Sequence, residues 1–475
     1  MTSESLSGKK VLLVGLGKLG GGVATAKWLI KRGVRLTVTD LKNEYELAPS
    51  LKKLESFKEK ITFVLGKHRE RDFADNEIIV VNPDVSLKNR YLEIARGNGR
   101  KIENEFSLFL KEIDQKQLIA VTGTRGKTTT ATWIHHILKT AYQNTMLAGN
   151  FPERPLLESV EKYNRKEPVV VETPSFLLEH LESDLLSPRM AIITNIYPDH
   201  LNRHETMENY ASIKAKIFKN QNKENVLIIN GENNPWTSFL LNKNPQSKVY
   251  FFSTNEELDK NLEGAFLKNK KVIFRLKGTE EAVLEVSSFN KKWGLHNVQN
   301  LLTAILAAHL FGSPFRKIRT TIDNLPLIRF REELIYDNGH IKIYNDSAST
   351  SPEATIAAVK RFSGGNLILI CGGTDRSLDF SALAREINSH LSPENVFLLA
   401  GSGTDKLLKD LQFSTKYPII KGELGQCLLE AIALARSRTG PSTIIFSPGA
   451  KSFEQFRNEY HRGESFNHAV ESLLK

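Results

Sequence analysis

The sequence is poor in cysteine and contains no long uninterrupted hydrophobic run. Its 475 residues include two cysteines, Cys371 and Cys427, which lie far apart in apolar stretches. A disulfide framework is therefore excluded, and we expect both thiols to be buried and the protein to work in a reducing cytoplasm. A membrane span requires about 18 consecutive apolar residues, and no stretch approaches that length. The polar N-terminus predicts no signal peptide.

Acidic residues are fewer than basic ones, with 54 Asp and Glu against 65 Lys and Arg and a formal net charge of +11. A basic surplus is typical of proteins that bind nucleic acid, but here the basic residues are spread along the chain and no nucleic-acid-binding motif is present. We therefore expect no nucleic-acid partner. Small anionic substrates or a solvated surface explain the surplus equally well. The length predicts two or three globular domains.

The most informative segment is a glycine- and threonine-rich stretch at residues 121–130. A strand is predicted before it over residues 117–121, and a helix after it over residues 131–142. A shortened Walker phosphate loop is formed by Gly123, Gly126, Lys127 and Thr128. Backbone N–H groups at the helix N-terminus attract an anion, Lys127 adds positive charge, and the Thr128 hydroxyl suits Mg²⁺. The alternative is a turn that binds nothing, which does not explain a lysine between a glycine and three threonines.

A second turn of the phosphate-binding type opens the chain. A strand is predicted over residues 10–14, residues 15–20 match G-x-G-x-x-G, and a helix is predicted over residues 21–31. Asp40 ends the next predicted strand, 20 residues after the third glycine. This context is typical of a nucleotide-binding βαβ unit. It leaves open NAD(P), with Asp40 on a ribose hydroxyl, a uridine diphosphate on the same turn, or a purely structural unit.

Polar residues follow two further predicted strands. Glu172 ends a strand predicted over residues 168–172, and His200 lies beyond one predicted over residues 190–195. Parallel strands meet the ligand crevice at their carboxyl ends, so we expect both side chains to face the phosphates and to bind Mg²⁺ directly or through water. A helix is predicted next over residues 207–218, and its spacing alone singles out none of its lysines.

The C-terminal third continues the alternation of strands and helices. Strands are predicted over residues 340–344, 366–371, 396–400 and 443–446, and helices over residues 351–361 and 424–436. Gly401 and Gly403 follow the third of these strands, but no lysine follows them, so a simple turn is predicted. The weakly patterned residues 233–290 are assigned to the end of a second domain, with exposed loops over residues 255–269. An α/β architecture is therefore predicted throughout.

In combination, these motifs resemble the Mur ligase family, the ATP-dependent amino-acid ligases of peptidoglycan precursor synthesis. The resemblance extends over nearly the whole length, through N-x-x-P-D-H at 195–200, Y-x-x-x-K at 210–214, H-N-V-Q-N at 296–300 and N-D-S at 345–347. The run at residues 447–456, with Arg462 and Gly463, is similar to the branch that joins glutamate to UDP-N-acetylmuramoyl-L-alanine.

The resemblance implies an α/β fold of three domains. These are a Rossmann-like UDP-substrate domain at residues 1–112, a central P-loop ATPase-type domain with a mostly parallel sheet at 113–314, and a Rossmann-like amino-acid domain at 315–475. It implies a cytoplasmic ligase, assumed monomeric, that adds glutamate, expected to be D-glutamate, to UDP-N-acetylmuramoyl-L-alanine through an acyl phosphate formed from ATP.

The resemblance also assigns roles to individual residues. Catalysis is expected from Lys127, Glu172, His200 and Lys214. Two Mg²⁺ ions are expected on Thr128, Glu172, His200 and Lys214, the last of these carbamylated. ATP is expected to contact Gly123, Thr124, Arg125, Gly126, Lys127, Thr128, Thr129, Asn297, Asn300, Arg329 and Asp346. The UDP substrate is expected to contact Gly15, Gly17, Lys18, Leu19, Asp40, Asn150, Ser175 and His200. The incoming amino acid is expected to contact Thr350, Arg376, Ser452 and Phe453.

The chain departs from the family pattern near the sugar and the incoming amino acid. Pro174 stands where a serine is usual, Ala348 where a phosphate-side lysine is usual, and Glu459 where an aromatic residue is common. Arg376 replaces a lysine at the position expected to bind the glutamate carboxylate, and an arginine can bind a carboxylate in bidentate fashion. One extra residue near Arg329 leaves Arg331 as an alternative for the contact with the ATP phosphates that the resemblance assigns to Arg329.

Three alternatives remain open. The same family chemistry is compatible with L-glutamate or another amino acid as the substrate. An NAD(P)-dependent oxidoreductase would rest on the first glycine turn alone. A nucleotide-binding protein without ligase activity would fit the loss of the usual side chains at Pro174 and Ala348.

Overall fold

A computed structural model describes the protein over residues 6–18, 20–86, 88–149, 156–181, 186–232, 235–254, 258–411 and 420–474. The protein has the predicted α/β architecture, with three successive sheets along the chain. It divides into two compact units, Met1–Leu325 with the first two sheets and Pro326–Lys475 with the third. The domain boundaries proposed after residues 112 and 314 stay a prediction.

The first sheet has five parallel strands in the order β3-β2-β1-β4-β5. These strands are β1 (Lys10–Val14), β2 (Arg35–Asp40), β3 (Ile61–Leu65), β4 (Ile78–Val81) and β5 (Lys101–Asn104). Its helices are α1 (Gly21–Lys31), α2 (Glu44–Lys52), α3 (Glu70–Asp75), α4 (Arg90–Gly97) and α5 (Glu105–Glu112). The four residues of β4 are all buried, as expected of a strand covered on both faces. The strand order reverses between β1 and β4, and parallel sheets bind ligands beyond the carboxyl ends of the strands at such a point.

The second sheet has nine strands in the order β14-β13-β12-β11-β10-β9-β6-β8-β7. These strands are β6 (Leu118–Thr122), β7 (Met146–Gly149), β8 (Val169–Glu172), β9 (Met190–Ile193), β10 (Val226–Asn230), β11 (Lys248–Ser253), β12 (Gly264–Lys268), β13 (Lys271–Leu276) and β14 (Thr279–Glu285). The strands from β7 to β12 are parallel, whereas β13 near the edge runs antiparallel to both of its neighbours, β12 and β14. Because β6 lies between β8 and β9, the order reverses at the strand that leads into the phosphate loop.

The helices around this sheet bury its faces in two apolar cores. They are α6 (Lys127–Leu138), α7 (Leu156–Ser159), α8 (Ser175–Glu179), α9 (Leu201–His204), α10 (Met207–Ala215), α11 (Pro235–Leu241), α12 (Ser287–Trp293), α13 (Leu295–Phe311) and α14 (Phe315–Arg319). Trp133 of α6 is fully buried and meets the rings of Phe289 and Trp293 edge-on, at centroid distances of 5.7 and 5.2 Å. Edge-to-face pairs of this kind add to the stability that apolar burial gives.

The third sheet has six strands in the order β15-β16-β20-β17-β18-β19. They are β15 (Glu333–Asp337), β16 (Ile341–Asn345), β17 (Asn366–Gly372), β18 (Val396–Leu399), β19 (Ile420–Gly422) and β20 (Ser442–Phe446), all parallel except β15. Its helices are α15 (Pro352–Phe362), α16 (Ser381–His390), α17 (Ser402–Asp410), α18 (Leu424–Ser437) and α19 (Glu459–Leu474). Short 3₁₀ helices lie at Glu55–Lys60, Gln115–Gln117, Val160–Lys162, Ile322–Asn324 and Pro393–Asn395. No helix among the described residues is long and apolar enough to cross a bilayer.

One expectation about the second sheet is wrong. Residues 255–269 were expected to form exposed loops, but β12 lies within them and its first three residues are buried. The strand pairs with β11 on one side and β13 on the other. The apolar run is too short to show the alternation typical of a strand, so the sequence gives no signal for β12. Pairing with two neighbouring strands decides its conformation.

We expect Gly264 to be indispensable to the edge of this sheet. A Cβ there would stand 1.8 Å from the Phe251 carbonyl oxygen, at a φ of +154°. Gly264→Ala should lower the free energy of unfolding by about 3 kcal/mol, measured by urea denaturation. Gly278→Ala is the matched control, since that turn glycine has φ +75° and an added methyl group would meet no described atom within 4 Å. It should cost only about 1 kcal/mol. Equal losses would contradict the packing described for β12.

Candidate functional site

The phosphate loop between β6 and α6 is shaped by its two glycines. Gly123 has φ +145° and Gly126 has φ +77°, backbone conformations that residues other than glycine rarely adopt. A Cβ at Gly123 would lie 1.9 Å from Thr194 Oγ1, and one at Gly126 would lie 2.2 Å from Asn300 Oδ1. The loop is therefore packed closely from two sides. Helix α6 begins at Lys127, so its first N–H groups point into the loop.

Residues directly after β9 hold one side of this loop. The Thr194 hydroxyl donates to the Arg125 carbonyl at 2.6 Å. The Asn195 carbonyl accepts from Thr124 N at 2.9 Å, and its side-chain oxygen accepts from Arg125 N at 2.9 Å. Sequence reasoning assigned Thr194 no role. Its position directly after a buried strand at the ligand edge of the sheet was the available signal.

Helix α13 holds the other side. The Thr130 hydroxyl donates to Asn300 Oδ1 at 3.2 Å, and Asn300 Nδ2 donates to Asn297 Oδ1 at 2.9 Å. Asn297 in turn donates to the Trp293 carbonyl at 2.8 Å. The structure thus brings the two asparagines predicted to bind ATP to the phosphate loop.

Two oxygen donors meet at the end of β8. The Thr128 hydroxyl donates to Glu172 Oε2 at 2.9 Å, and Glu172 is buried. A hydroxyl and a carboxylate oxygen are the donors that Mg²⁺ prefers, so this pair fits one ion beside the phosphates. The Lys127 ammonium donates to the Thr124 carbonyl at 2.9 Å and so stays over the loop. The described residues contain no group of three or more His, Cys, Asp or Glu side chains that could hold a metal ion.

Lys214 of α10 is buried against the loop. It is 1% exposed, it donates to the Gly123 carbonyl at 2.8 Å, and its Nζ lies 4.4 Å from the centroid of the Tyr210 ring. Burial, and then the positive charge of Lys127, lower the pKa of Lys214 well below its usual value. The nearby Lys216 is only half-buried and donates to the carbonyls of Glu179 and Leu181.

His200 and Ser175 lie around the same end of the sheet. His200 has φ +54° and directly precedes α9, with Nε2 3.5 Å from the Asp199 carboxylate. The Ser175 hydroxyl is hydrogen-bonded to His204 Nε2 at 3.1 Å. The His204 ring stacks on Tyr210, and burial, followed by the positive charge of Arg203, lowers the pKa of His204 to about 4. His204 is therefore neutral at physiological pH.

The first glycine turn is tied to the ends of β2 and β4. Asp40 accepts from Gly17 N at 3.0 Å and from Lys42 N at 2.9 Å, so its carboxylate shapes the turn. The Asn82 side chain, which sequence reasoning missed, donates to the Gly15 carbonyl at 3.0 Å from the end of β4. Lys18 Nζ lies 4.0 Å from the Glu46 carboxylate. Leu19 and Asn150, both predicted to contact the UDP substrate, lie outside the described residues.

The second unit brings together the residues predicted to bind the amino acid. The Arg376 guanidinium lies over the Phe453 ring, 4.6 Å from its centroid, and Lys451 Nζ donates to Thr350 Oγ1 at 3.4 Å. Ser452 is 3% exposed, and its hydroxyl makes no hydrogen bond to any residue that the structure describes. A buried hydroxyl without a partner is costly, so it is suited to a ligand that supplies one.

Asp346 and Arg329, both predicted to contact ATP, differ in exposure. Asp346 is buried and accepts hydrogen bonds from Glu332 N, Ser349 Oγ and Ser447 Oγ. Burial, and then the Glu332 carboxylate, raise the pKa of Asp346 to about 7. Arg329 is half-exposed and lies 3.9 Å from the Glu464 carboxylate. Their contacts with ATP stay predictions, and the contacts seen for Asp346 all serve the interior of its own unit.

Comparison with known proteins identifies two family domains in the chain. Residues 121–308 match the Mur ligase middle domain, and residues 9–103 match the Mur ligase MurD-like N-terminal domain. The two regions contain the two glycine turns described above.

Two relatives that match over the full length share one functional name. The chain is 36% identical over 471 residues to UDP-N-acetylmuramoylalanine–D-glutamate ligase of Roseiflexus sp., covering 98% of this chain and 99% of the relative. It is 32% identical over 476 residues to the enzyme of that name from Borreliella burgdorferi, covering 100% of both.

Solved structures with similar folds are more distant in sequence. UDP-N-acetylmuramate-alanine ligase from Thermotoga maritima superposes with a TM-score of 0.57 at 19% identity, covering 98% of this chain and 99% of the other. MurF ligase from Thermotoga maritima in complex with ADP gives a TM-score of 0.57 at 16% identity, covering 99% and 96%. They confirm the predicted three-domain α/β fold.

We expect the Thr194 hydroxyl to tighten nucleotide binding through the loop. Thr194→Val keeps the shape but removes the donor to the Arg125 carbonyl. This hydrogen bond should contribute about 1 kcal/mol to holding the loop in its binding conformation. Its loss should raise the Kd for Mg–ATP about fivefold, measured by titration with a fluorescent ATP analogue. Thr194→Ser is the control and should bind like the unaltered protein. Equal affinity of all three proteins would show that this hydrogen bond does not order the loop.

Proposed function

The chain belongs to the Mur ligase family, and we propose that it joins D-glutamate to the carboxyl group of UDP-N-acetylmuramoyl-L-alanine while ATP is converted to ADP and phosphate. The observation that carries this proposal is the cluster of Lys127, Thr128, Glu172 and Lys214 around one phosphate loop, in which Glu172 and Lys214 are buried. Its support is the full-length likeness to relatives named for this reaction. The reaction belongs to peptidoglycan precursor synthesis, and we place it in the cytoplasm, where ATP and nucleotide-linked sugars are made.

The first step transfers a phosphoryl group. An oxygen of the alanyl carboxylate attacks the γ-phosphorus of ATP, the bond to the β-phosphate oxygen breaks, and ADP and an acyl phosphate result. Lys127 and the N–H groups at the start of α6 stabilise the charge on the transferred phosphoryl oxygens. Thr128 and Glu172 would hold Mg²⁺, which, when bound, neutralises phosphate charge as a Lewis acid.

Lys214 is proposed to carry a carbamate. Carbamylation requires a neutral amine, which adds CO₂ and releases a proton, and the lowered pKa of Lys214 favours that form. The carbamate would place a carboxylate-like group beside the loop, and with His200 it would complete the ligands for a second Mg²⁺. An unmodified lysine ammonium is no metal ligand.

The second step forms the amide bond. The amine of D-glutamate attacks the acyl carbon, giving a tetrahedral intermediate that expels phosphate and loses a proton. Arg376 would bind a glutamate carboxylate through its paired N–H donors, and the Ser452 hydroxyl would donate to the amino acid. Thr350 and Phe453 would line the same site. Holding the amino acid at these points would orient its amine for attack.

The uridine diphosphate is proposed to bind at the first glycine turn. Asp40 and Asn82 hold that turn in shape from neighbouring strands, and α1 begins directly after it. A diphosphate is the anion that such a helix N-terminus binds. The full-length likeness to ligases argues against the NAD(P)-dependent oxidoreductase, which rested on this turn alone.

The reaction itself is tested by a substrate panel. Release of ADP should require both UDP-N-acetylmuramoyl-L-alanine and D-glutamate, since ATP is consumed only when a carboxylate accepts the phosphoryl group. L-Glutamate, D-aspartate and other amino acids in place of D-glutamate should give at most about 1% of that rate, because a misplaced amine or carboxylate loses several kcal/mol of transition-state binding. Faster turnover with L-glutamate would reassign the substrate, and no turnover with any muramoyl acceptor would refute the ligase.

Lys214→Ala should lower kcat by about a thousandfold or more, since it removes the carbamate proposed to hold the second Mg²⁺ beside the reacting phosphate. Millimolar acetate or propionate should restore part of the activity by filling the vacated space with a carboxylate. Lys216→Ala is the matched control, because Lys216 contacts only the carbonyls of Glu179 and Leu181 among the partners seen here. Its activity should change little and should not respond to acetate. Absence of rescue in Lys214→Ala would count against the carbamate.

A further inference from the structure

The N-terminus of α17 is occupied by a carboxylate of the chain itself. This helix follows a glycine turn that superficially matches a phosphate loop. In the structure, Ser402 N donates to Glu454 Oε2 at 3.0 Å, and Gly403 N donates to the Gly373 carbonyl at 2.8 Å. An anion is favoured at a helix N-terminus by the free N–H groups and the helix dipole. At α17, the Glu454 carboxylate occupies the position that a phosphate occupies in a phosphate-binding loop.

Glu454 and Ser402 connect two separate segments of the second unit. The Ser402 hydroxyl donates to Glu454 Oε1 at 2.5 Å and accepts from Asp375 N at 2.9 Å. Glu454 N donates to the Thr374 hydroxyl at 3.0 Å. A continuous chain of hydrogen bonds therefore runs from the segment after β17, through the start of α17, to the segment after β20.

Both connected segments carry residues proposed to bind the incoming amino acid. Arg376 directly follows Asp375 on the first segment. Ser452 and Phe453 directly precede Glu454 on the second. The Arg376 guanidinium also rests on the Phe453 ring, so the two segments meet at the proposed site.

We infer that Glu454 is a positioning residue for the incoming amino acid, acting with Ser402 to fix the spacing between Arg376 and Ser452. It does not touch the substrate. The inference rests on the proposed function, in which those two residues bind the amino acid. Arg376 and Ser452 can bind one amino acid together only when the distance between their side chains matches the distance between the groups they contact on it.

The base of the second segment is held independently of Glu454. Thr374 N donates to the Lys451 carbonyl at 2.9 Å, and Lys451 N donates back to the Thr374 carbonyl at 3.1 Å. Arg462, which is fully buried, donates to the carbonyls of Ala450 and Lys451. Glu454 is itself exposed. Loss of its charge should therefore loosen the spacing without unfolding the unit.

The test compares Glu454→Gln, Ser402→Ala and the double variant in the full-length protein, with KM measured separately for D-glutamate, ATP and UDP-N-acetylmuramoyl-L-alanine. Glu454→Gln keeps the shape but removes the charge at the helix N-terminus. Each single variant should raise KM for D-glutamate about five- to tenfold and leave the other two KM values within about twofold. The double variant should be no worse than the poorer single variant, because the two residues act as one unit.

Glu430→Gln is the matched control, an exposed carboxylate on α18, and it should behave like the unaltered protein. Ser452→Ala tests the proposed site separately. If Ser452→Ala raises KM for D-glutamate but Glu454→Gln does not, the inference is wrong and the site stands. If Ser452→Ala leaves that KM unchanged, the proposed site and the inference both fall. Equal increases in all three KM values, or independent multiplication of the two single effects, would also overturn the inference.

Discussion

The close approach of the Thr194 and Asn300 side chains to the backbone of the phosphate loop is the constraint on which the rest of the structure depends. Free N–H groups at the start of α6 can face an anion only if the preceding turn is compact. That compactness needs positions without a Cβ at Gly123 and Gly126, because Thr194 and Asn300 pack against them. Both neighbours come from elements that the parallel sheet brings to the same edge. The packing of Thr194 and Asn300 against the two glycines therefore links the arrangement of the sheet to the shape of the phosphate loop.

Burial around this loop also sets its chemistry. Glu172 and Lys214 are taken out of water by the strand and helix that carry them, and each finds a partner on the loop. A buried lysine beside a second cation is destabilised as an ammonium. That same penalty favours a neutral amine, the form able to take up CO₂. In the second unit, burial also raises the pKa of Asp346 and lowers the pKa of Arg462, yet the contacts of both residues hold loops, so a perturbed pKa alone does not identify a reacting group.

Much of the fold and of the candidate site could be predicted from the sequence. The remaining features depend on contacts between residues that are far apart in the sequence. Strands such as β1 and β17 were placed within one residue because buried parallel strands are continuous apolar runs. Lys214 could not be separated from Lys216 by spacing, since only packing shows which of them faces the loop. β12 was missed because its pairing with β11 decides its conformation. The bond from Ser402 to Glu454 joins residues 52 apart in the sequence, and no local pattern indicates it.

The central claim is that the loop transfers a phosphoryl group to a carboxylate before the amide forms. It is tested most directly with UDP-N-acetylmuramoyl-L-alanine labelled with ¹⁸O in its carboxyl group, turned over with ATP and D-glutamate. Because one carboxyl oxygen leaves with the phosphoryl group, mass spectrometry should find one ¹⁸O atom in each molecule of inorganic phosphate released. Unlabelled phosphate, with the displaced ¹⁸O atom found in water and the other in the amide carbonyl, would contradict an acyl phosphate and with it the assigned role of the site.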